Sequence, residues 1–209
     1  MEPLPKSGLY YPNNLARIAF LALEDVMGSN GVNALLSLAN KREYIGNYPP
    51  DNMENQIDFS DISTVIGTLD DMYGLRGSRV LAMRTGMAVF DETLKNIGEA
   101  VDVNDEGFLA LPLIEKMRVG LSFVGISLTQ STKNVPIMKE ESDHFSYAFQ
   151  LCPVCWGRKT TEPSCHLLAG TLRGGLKWVT RGLNFNVTQV KAHSCGDDVC
   201  EFVIPFEPV

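Results

Sequence analysis

Residues 135–142, VPIMKEES, and 144–151, HFSYAFQL, decide how the chain reads. In both, apolar and polar side chains alternate with period two, the spacing of a strand with one buried face. One residue separates them, so they are predicted as a hairpin. Working outward, residues 162–182, EPSCHLLAGTLRGGLKWVTRG, return to a helical period. Pro163 suits the first turn of that helix and Gly182 lies just past its end. Cys165, Leu168, Ala169, Leu172, Leu176 and Val179 form its apolar stripe. A second hairpin follows, FNVTQVKAH (185–193) and DVCEFVIPF (198–206), turning around SCGDD (194–198).

N-terminal to the first hairpin the periods are helical. Residues 13–31 are predicted as a helix capped by Asn13 or Asn14. Its stripe is Leu15, Ile18, Leu21 (or Ala22) and Val26, and Gly28 can end it. Residues 31–41, 61–74 (closed by Gly74), 76–98 and 112–132 are four more helices. Residues 48–61, with Pro49, Pro50 and several acids, read as a loop. Helices first, then strand–strand–helix–strand–strand, is an α+β order. The expected architecture has N-terminal helices packed on an antiparallel sheet of about four strands, with a helix between the two hairpins. One domain covers 1–209: 1–135 mainly helical, 136–209 the sheet, its helix and the cysteines.

With 18 basic and 25 acidic residues the net charge is −7. That balance argues against a nucleic-acid partner, which calls for a basic footprint. No apolar run is long enough to span a bilayer, and MEPLPKSGLYYP at the N-terminus lacks the pattern of a secretory signal. The expectation is a cytoplasmic protein, in which clustered cysteines stay reduced.

All five cysteines fall in the last third. Cys152-x2-Cys155 has the spacing of a metal knuckle or a redox dithiol, but the redox reading needs a βαβ unit with the motif opening a helix, which this sequence does not supply. Cys195-x4-Cys200 straddles a tight turn, and Cys165 opens a helix, where the dipole favours a thiolate. Packing competes with both readings, because free cysteine is among the most buried residue types. Zinc and packing are evenly weighed on spacing alone. His166 and His193 are nitrogen donors beside these cysteines. Arg76, Arg79 and Arg84 are candidate partners for a ligand carboxylate, against the commoner solvated face. Asn186-Val187-Thr188 matches a glycosylation sequon that a cytoplasmic chain would not use. No phosphate loop, GxSxG or HExxH is found, and no catalytic set stands out, so a non-enzymatic role is favoured.

The stretch CPVCWGRKTTEPSCHLLAGTLRGGLKWV with FNVTQVKAHSCGDDVCEFVI resembles the 4-vinyl reductase domain. That family has the ligand-binding fold of NO-signalling and Golgi-transport proteins. It is shared with sensor domains of aromatic-responsive regulators and with small subunits of the TRAPP complex. The likeness rests on Cys165, Ala169, Gly170, Gly196, Asp197, Cys200, Phe202 and Ile204. It implies an apolar pocket between helices and sheet, with a structural zinc beside it in several members. Two implied zinc ligands fall on Cys165 and Cys200, whereas Gln189 and Ala192 occupy the other two ligand positions. A rearranged zinc site would use Cys165, Cys195 and Cys200, with Cys155 or His193 as the fourth ligand.

The first functional expectation is a sensor or carrier for a small hydrophobic molecule: a lipid, an aromatic or a tetrapyrrole. Its pocket candidates are Met83, Met87, Phe90, Met117, Leu121, Phe123 and Val124. Each is also a plausible core residue. A second, implied by the family name, is tetrapyrrole binding in vinyl reduction during (bacterio)chlorophyll synthesis. A third is a homodimeric scaffold paired through the N-terminal helices.

Overall fold

A computed structural model describes residues 4–97, 102–132 and 135–209. The helix end expected at Gly98 lies outside the described residues. A short antiparallel pair, β1 (Tyr10–Pro12) and β2 (Asn55–Asp58), brackets α1 (Asn13–Leu38). After β2 come α2 (Phe59–Ile97), α3 (Glu106–Leu109) and α4 (Leu113–Thr132). Then follow β3 (Ile137–Glu140), β4 (His144–Phe149), α5 (His166–Val179), β5 (Thr188–Lys191) and β6 (Cys200–Pro205).

Two glycines explain why two long helices correspond to four predicted ones. Gly28 interrupts α1 with φ 73° and ψ 161°, and Gly74 interrupts α2 with φ 66° and ψ 167°. That region of backbone space is open to glycine and essentially closed to residues with a Cβ. Each glycine therefore ends one helix and lets the next start at once.

The expected four-stranded antiparallel sheet is present, in the order β3-β4-β6-β5. The two hairpins join through β4 and β6, where Phe149 faces Cys200 and Phe145 faces Ile204. Alternate side chains point inward. Phe145, Tyr147 and Phe149 of β4 and Cys200, Phe202 and Ile204 of β6 are all buried. Each large apolar side chain contributes about 1.5–3 kcal/mol by leaving water. The helix α5 packs on α2 and α4. Its predicted stripe is buried, and so are Leu167, Gly170, Thr171, Gly174 and Gly175. It is a central helix rather than a surface one.

Two expectations change. Residues 55–58, expected within a loop, form β2, because Ile57 and Asp58 find backbone partners in Tyr11 and Tyr10. The most buried face of α1 is Ala16, Phe20 and Leu23, with Ile18 and Ala22, whereas Leu15, Leu21 and Val26 are half-buried. The helix is enclosed from more than one side, by α2 and by the β1–β2 pair, so a single stripe underestimates its buried surface. Among the described residues, no helix is long and apolar enough to cross a membrane.

Candidate functional site

An apolar cavity of about 90 Å3 lies where α1, α2, α4 and α5 meet the segment after β4. Small side chains open it: Ala16 and Ala19 on α1 leave a gap that Ile62, Val89 and Phe90 of α2 do not close. Phe123 and Val124 of α4 and Leu168 of α5 form other walls. The hydroxyls of Thr93 and Thr171, at the lining, donate to the carbonyls of Val89 and Leu167 on their own helices. The wall is thus apolar in effect. Of the seven pocket candidates, Phe90, Phe123 and Val124 line the cavity. Met117 and Leu121 are fully buried in the core, and Met83 packs at its edge. Met87 is half-buried and is not among the lining residues.

Tyr11 also lines the cavity, packed against Phe59 with ring centroids 4.9 Å apart and the rings tilted by 36°. Burial, and then Cys152 and Cys165 nearby, push its phenol well above the ordinary value. Nothing in the sequence marked Tyr11, Ala16 or Ala19, because small or aromatic residues on an amphipathic element look like core.

Beside the cavity sits a cluster of thiols. The sulfurs of Cys152, Cys155 and Cys165 all lie within 4.8 Å of one another, and all three residues are buried. Cys152 Sγ is 3.3 Å from Cys165 Sγ. Cys200 reaches both Cys152 and Cys155 from β6. The fold explains the convergence. Cys152 follows β4, whose last residue faces Cys200 across the sheet. A turn closed by Cys155 N–H donating to Cys152 O (3.2 Å) returns the second thiol to the first. Cys165 is held by its N–H donating to Gln189 Oε1 on β5 (2.8 Å). Gln189 therefore clamps backbone, a role for which a neutral amide is suited.

The charges in the cluster are unequal. Hydrogen bonds from Cys152, Cys165 and Cys200 hold the Cys155 thiol well below its usual value, and the Arg158 charge acts the same way. Cys152 and Cys200 are pushed up by the same contacts, and Cys165 is pushed up first by burial. Arg158 is itself buried, with Nη2 on Asp70 Oδ2 at 2.7 Å and Nη1 on Val154 O at 3.4 Å.

Cys195 and His193 do not join these thiols. Cys195 is exposed, its sulfur 3.6 Å from Thr160 Oγ1. His193 places Nε2 2.8 Å from Gln150 O and Nδ1 3.0 Å from Asp197 O, while its backbone N–H donates to Cys200 Sγ at 3.5 Å. Cys152, which the spacing marked as half of a pair, stands where Cys195 was expected. A cleft of about 570 Å3 runs over Cys152 and Cys155, bordered by Trp156, Arg158, His193 and Cys195.

The sequence matches no protein-family model and no curated protein. Solved structures do match, over nearly the whole chain. One comes from a study of heme distortion in the H-NOX family, with 13% identity and TM-score 0.57, covering 95% of this chain and 96% of that one. Another is an H-NOX protein from S. oneidensis in the Fe(II)NO ligation state, with 12% identity, TM-score 0.56, and 92% and 98% coverage. A third is the Fe(II) unliganded H-NOX protein from K. algicida, with 11% identity, TM-score 0.55, and 91% and 95% coverage.

The fold is that of H-NOX domains.

This corrects the resemblance drawn from residues 152–179 and 185–204: the chain's structural neighbours are H-NOX proteins, not 4-vinyl reductase domains. The short motif shared with that family, a cysteine, an Ala-Gly pair and a GD-x-x-C strand, records helix packing and a tight turn, which unrelated sequences also need. The expectation of zinc is overturned with it, since the structures sharing the H-NOX fold are described by heme and Fe(II). The role in (bacterio)chlorophyll synthesis loses its support in the same way.

Proposed function

We propose that this chain is a ligand-binding sensor domain whose ligand is a small, uncharged, apolar molecule. The apolar cavity between α1, α2, α4 and α5 carries the reading. Among the described residues its lining presents no Lys, Arg, Asp, Glu or His, so charge recognition has no partner among them. Size narrows the ligand further. A drug-sized ligand takes roughly 300–1,000 Å3, and a dry cavity of about 150 Å3 holds benzene. At about 90 Å3, this cavity suits a gas molecule as it stands, or a single small ring after modest side-chain movement.

Heme, which the solved H-NOX structures name, does not fit these residues. Axial ligation draws on His, Cys, Met or Tyr. Among the described residues Tyr11 is the one such residue at the lining, and burial pushes its phenol well above the ordinary value, away from the phenolate that would ligate iron. His144 bonds Asp143 beside β4, His166 opens onto a cleft near Asp70, and His193 faces two backbone carbonyls. None of the three lies on the cavity.

The test is titration of the folded protein with benzene or xenon, followed by methyl NMR of cavity residues. Saturable shifts at Val89, Val124 and Leu168, absent in Ala19→Phe, are expected. Failure of the wild-type protein to show saturable shifts would sink the proposal. So would binding that survives Ala19→Phe. Native mass spectrometry of protein from its own host then identifies the retained ligand.

A further inference from the structure

We propose that Cys152 and Cys155 form a peroxide-oxidisable dithiol, with Cys155 the sulfur that meets the oxidant and Cys152 the one that resolves it. Four observations support this. The turn that closes with Cys155 N–H on Cys152 O sets the two Cα atoms at a separation of the kind a disulfide spans. The two sulfurs are already within 4.8 Å. The cleft bordered by Trp156, Arg158 and His193 opens onto both of them and onto no other member of the cluster. Finally, hydrogen bonds from the neighbouring thiols and the charge of the buried Arg158 guanidinium shift the Cys155 thiol downward, toward the thiolate. A thiolate, not a thiol, is the nucleophile toward peroxide.

The chemistry balances with hydrogen peroxide as the one added reactant. The Cys155 thiolate attacks a peroxide oxygen, the O–O bond breaks, and hydroxide leaves; Cys155 becomes a sulfenic acid and peroxide is reduced. The Cys152 sulfur then attacks the sulfenic sulfur, the S–O bond breaks, and the Cys152 proton leaves with the hydroxyl group as water. A Cys152–Cys155 disulfide remains. Cys165, 3.3 Å from Cys152, holds Cys152 in place rather than facing the cleft.

The turn also forms part of the cavity wall, through Pro153 and Val154. Closing the disulfide draws the sulfurs to about 2.0 Å and moves that wall, so oxidation changes ligand affinity. This last link rests on the ligand-binding reading, whereas the dithiol chemistry stands without it.

The experiment uses the full chain in a Cys195→Ser background, which removes the exposed thiol. Folded protein is treated with hydrogen peroxide, then alkylated, digested without reductant and analysed by mass spectrometry. A peptide carrying an internal 152–155 disulfide, lighter by two hydrogens, is expected. Cys152→Ser should instead leave a sulfenic acid at Cys155 that dimedone traps. If Cys152→Ser does not fold, the wild-type peptide map alone decides the pairing. A disulfide from Cys165 to Cys152 or Cys200, no oxidation of the folded protein, or one equivalent of metal retained on these sulfurs would each overturn the assignment. Ligand titration of reduced and oxidised protein tests the coupling separately, and unchanged affinity would remove that link alone.

Discussion

Gly86 of α2 and Gly170 of α5 meet backbone to backbone. A Cβ on Gly86 would lie 1.9 Å from Leu167 O, and one on Gly170 would lie 2.1 Å from Met83 O. The two helices therefore cross at a separation that no larger residue permits at either position. Those same turns set the cavity wall, since Val89 and Phe90 follow Gly86 and Leu168 and Thr171 flank Gly170. Gly86→Ala is expected to destabilise the protein by at least the 1–3 kcal/mol typical of overpacking, about 3 kcal/mol. The obstacle is backbone, not a side chain that can rotate away. Urea unfolding measures it; a change near zero would mean that the helices can separate freely.

Phe90 sits over Gly174, where an added Cβ would fall 2.7 Å from Phe90 Cβ, and against Phe123 with ring centroids 5.8 Å apart. Phe90→Ala should cost about 3–5 kcal/mol. It should also enlarge the cavity, so that bicyclic aromatics bind which the wild-type protein rejects. Denaturation and the same NMR titration check both parts.

Asp58 ties the N-terminal segment to the start of α2. Burial alone would raise its pKa. Hydrogen bonds from Ser60 N–H (2.8 Å), from Ser7 N–H and Oγ (3.0 Å each) and from Gly8 N–H (3.1 Å) outweigh burial and hold it well below the usual carboxylate range. The folded state thus keeps the proton off at pH values where the unfolded chain takes it up. This stabilisation is complete above the unfolded pKa of about 3.9 and is lost as pH falls through the lower folded value. Asp58→Asn should cost about 2 kcal/mol at neutral pH. The gap from wild type should narrow on acidification below about pH 4. A gap that stays constant with pH would refute the electrostatic account.

Arg158 is buried with Asp70 as its carboxylate partner, and Asp70 also accepts from Ser78. Removing one member of a buried pair strands the other charge, at a typical cost of about 3–5 kcal/mol. Asp70 is partly solvent-accessible, so Asp70→Asn should fall toward the lower end of that range, about 3 kcal/mol. Thermal unfolding beside Ser78→Ala, which leaves the ion pair intact, separates the charge from the hydroxyl contact.

How much of this was legible depends on the distance over which each feature is encoded. Gly28 and Gly74 end their helices by local backbone freedom, and both stops are readable in the sequence. The stripe on α5 from Leu168 to Val179 is likewise local. The strand β2 was hidden, because four residues among prolines and acids show little pattern until Tyr10 and Tyr11 pair with them. The cavity was half legible. Phe90, Phe123 and Val124 were recognisable as apolar, but the space depends on Ala16 and Ala19, which signal nothing by themselves. The 4-vinyl reductase likeness misled because it rested on a few positions fixed by packing and turn geometry.

The sequence by itself determined the order and periods of the elements, the breaks between helices and the concentration of cysteines in the last third. Local sterics and side-chain periodicity act within a few residues, so these survive without knowledge of the rest. Only the tertiary structure decided that Cys152 joins Cys155 and Cys165 while Cys195 stays outside, and where the helices leave room. Those outcomes depend on the register of β4 against β6 and on the crossing of α2 over α5, contacts between segments far apart in the chain. A change of one residue in register, or of one methyl group at Gly86 or Gly170, would rearrange them.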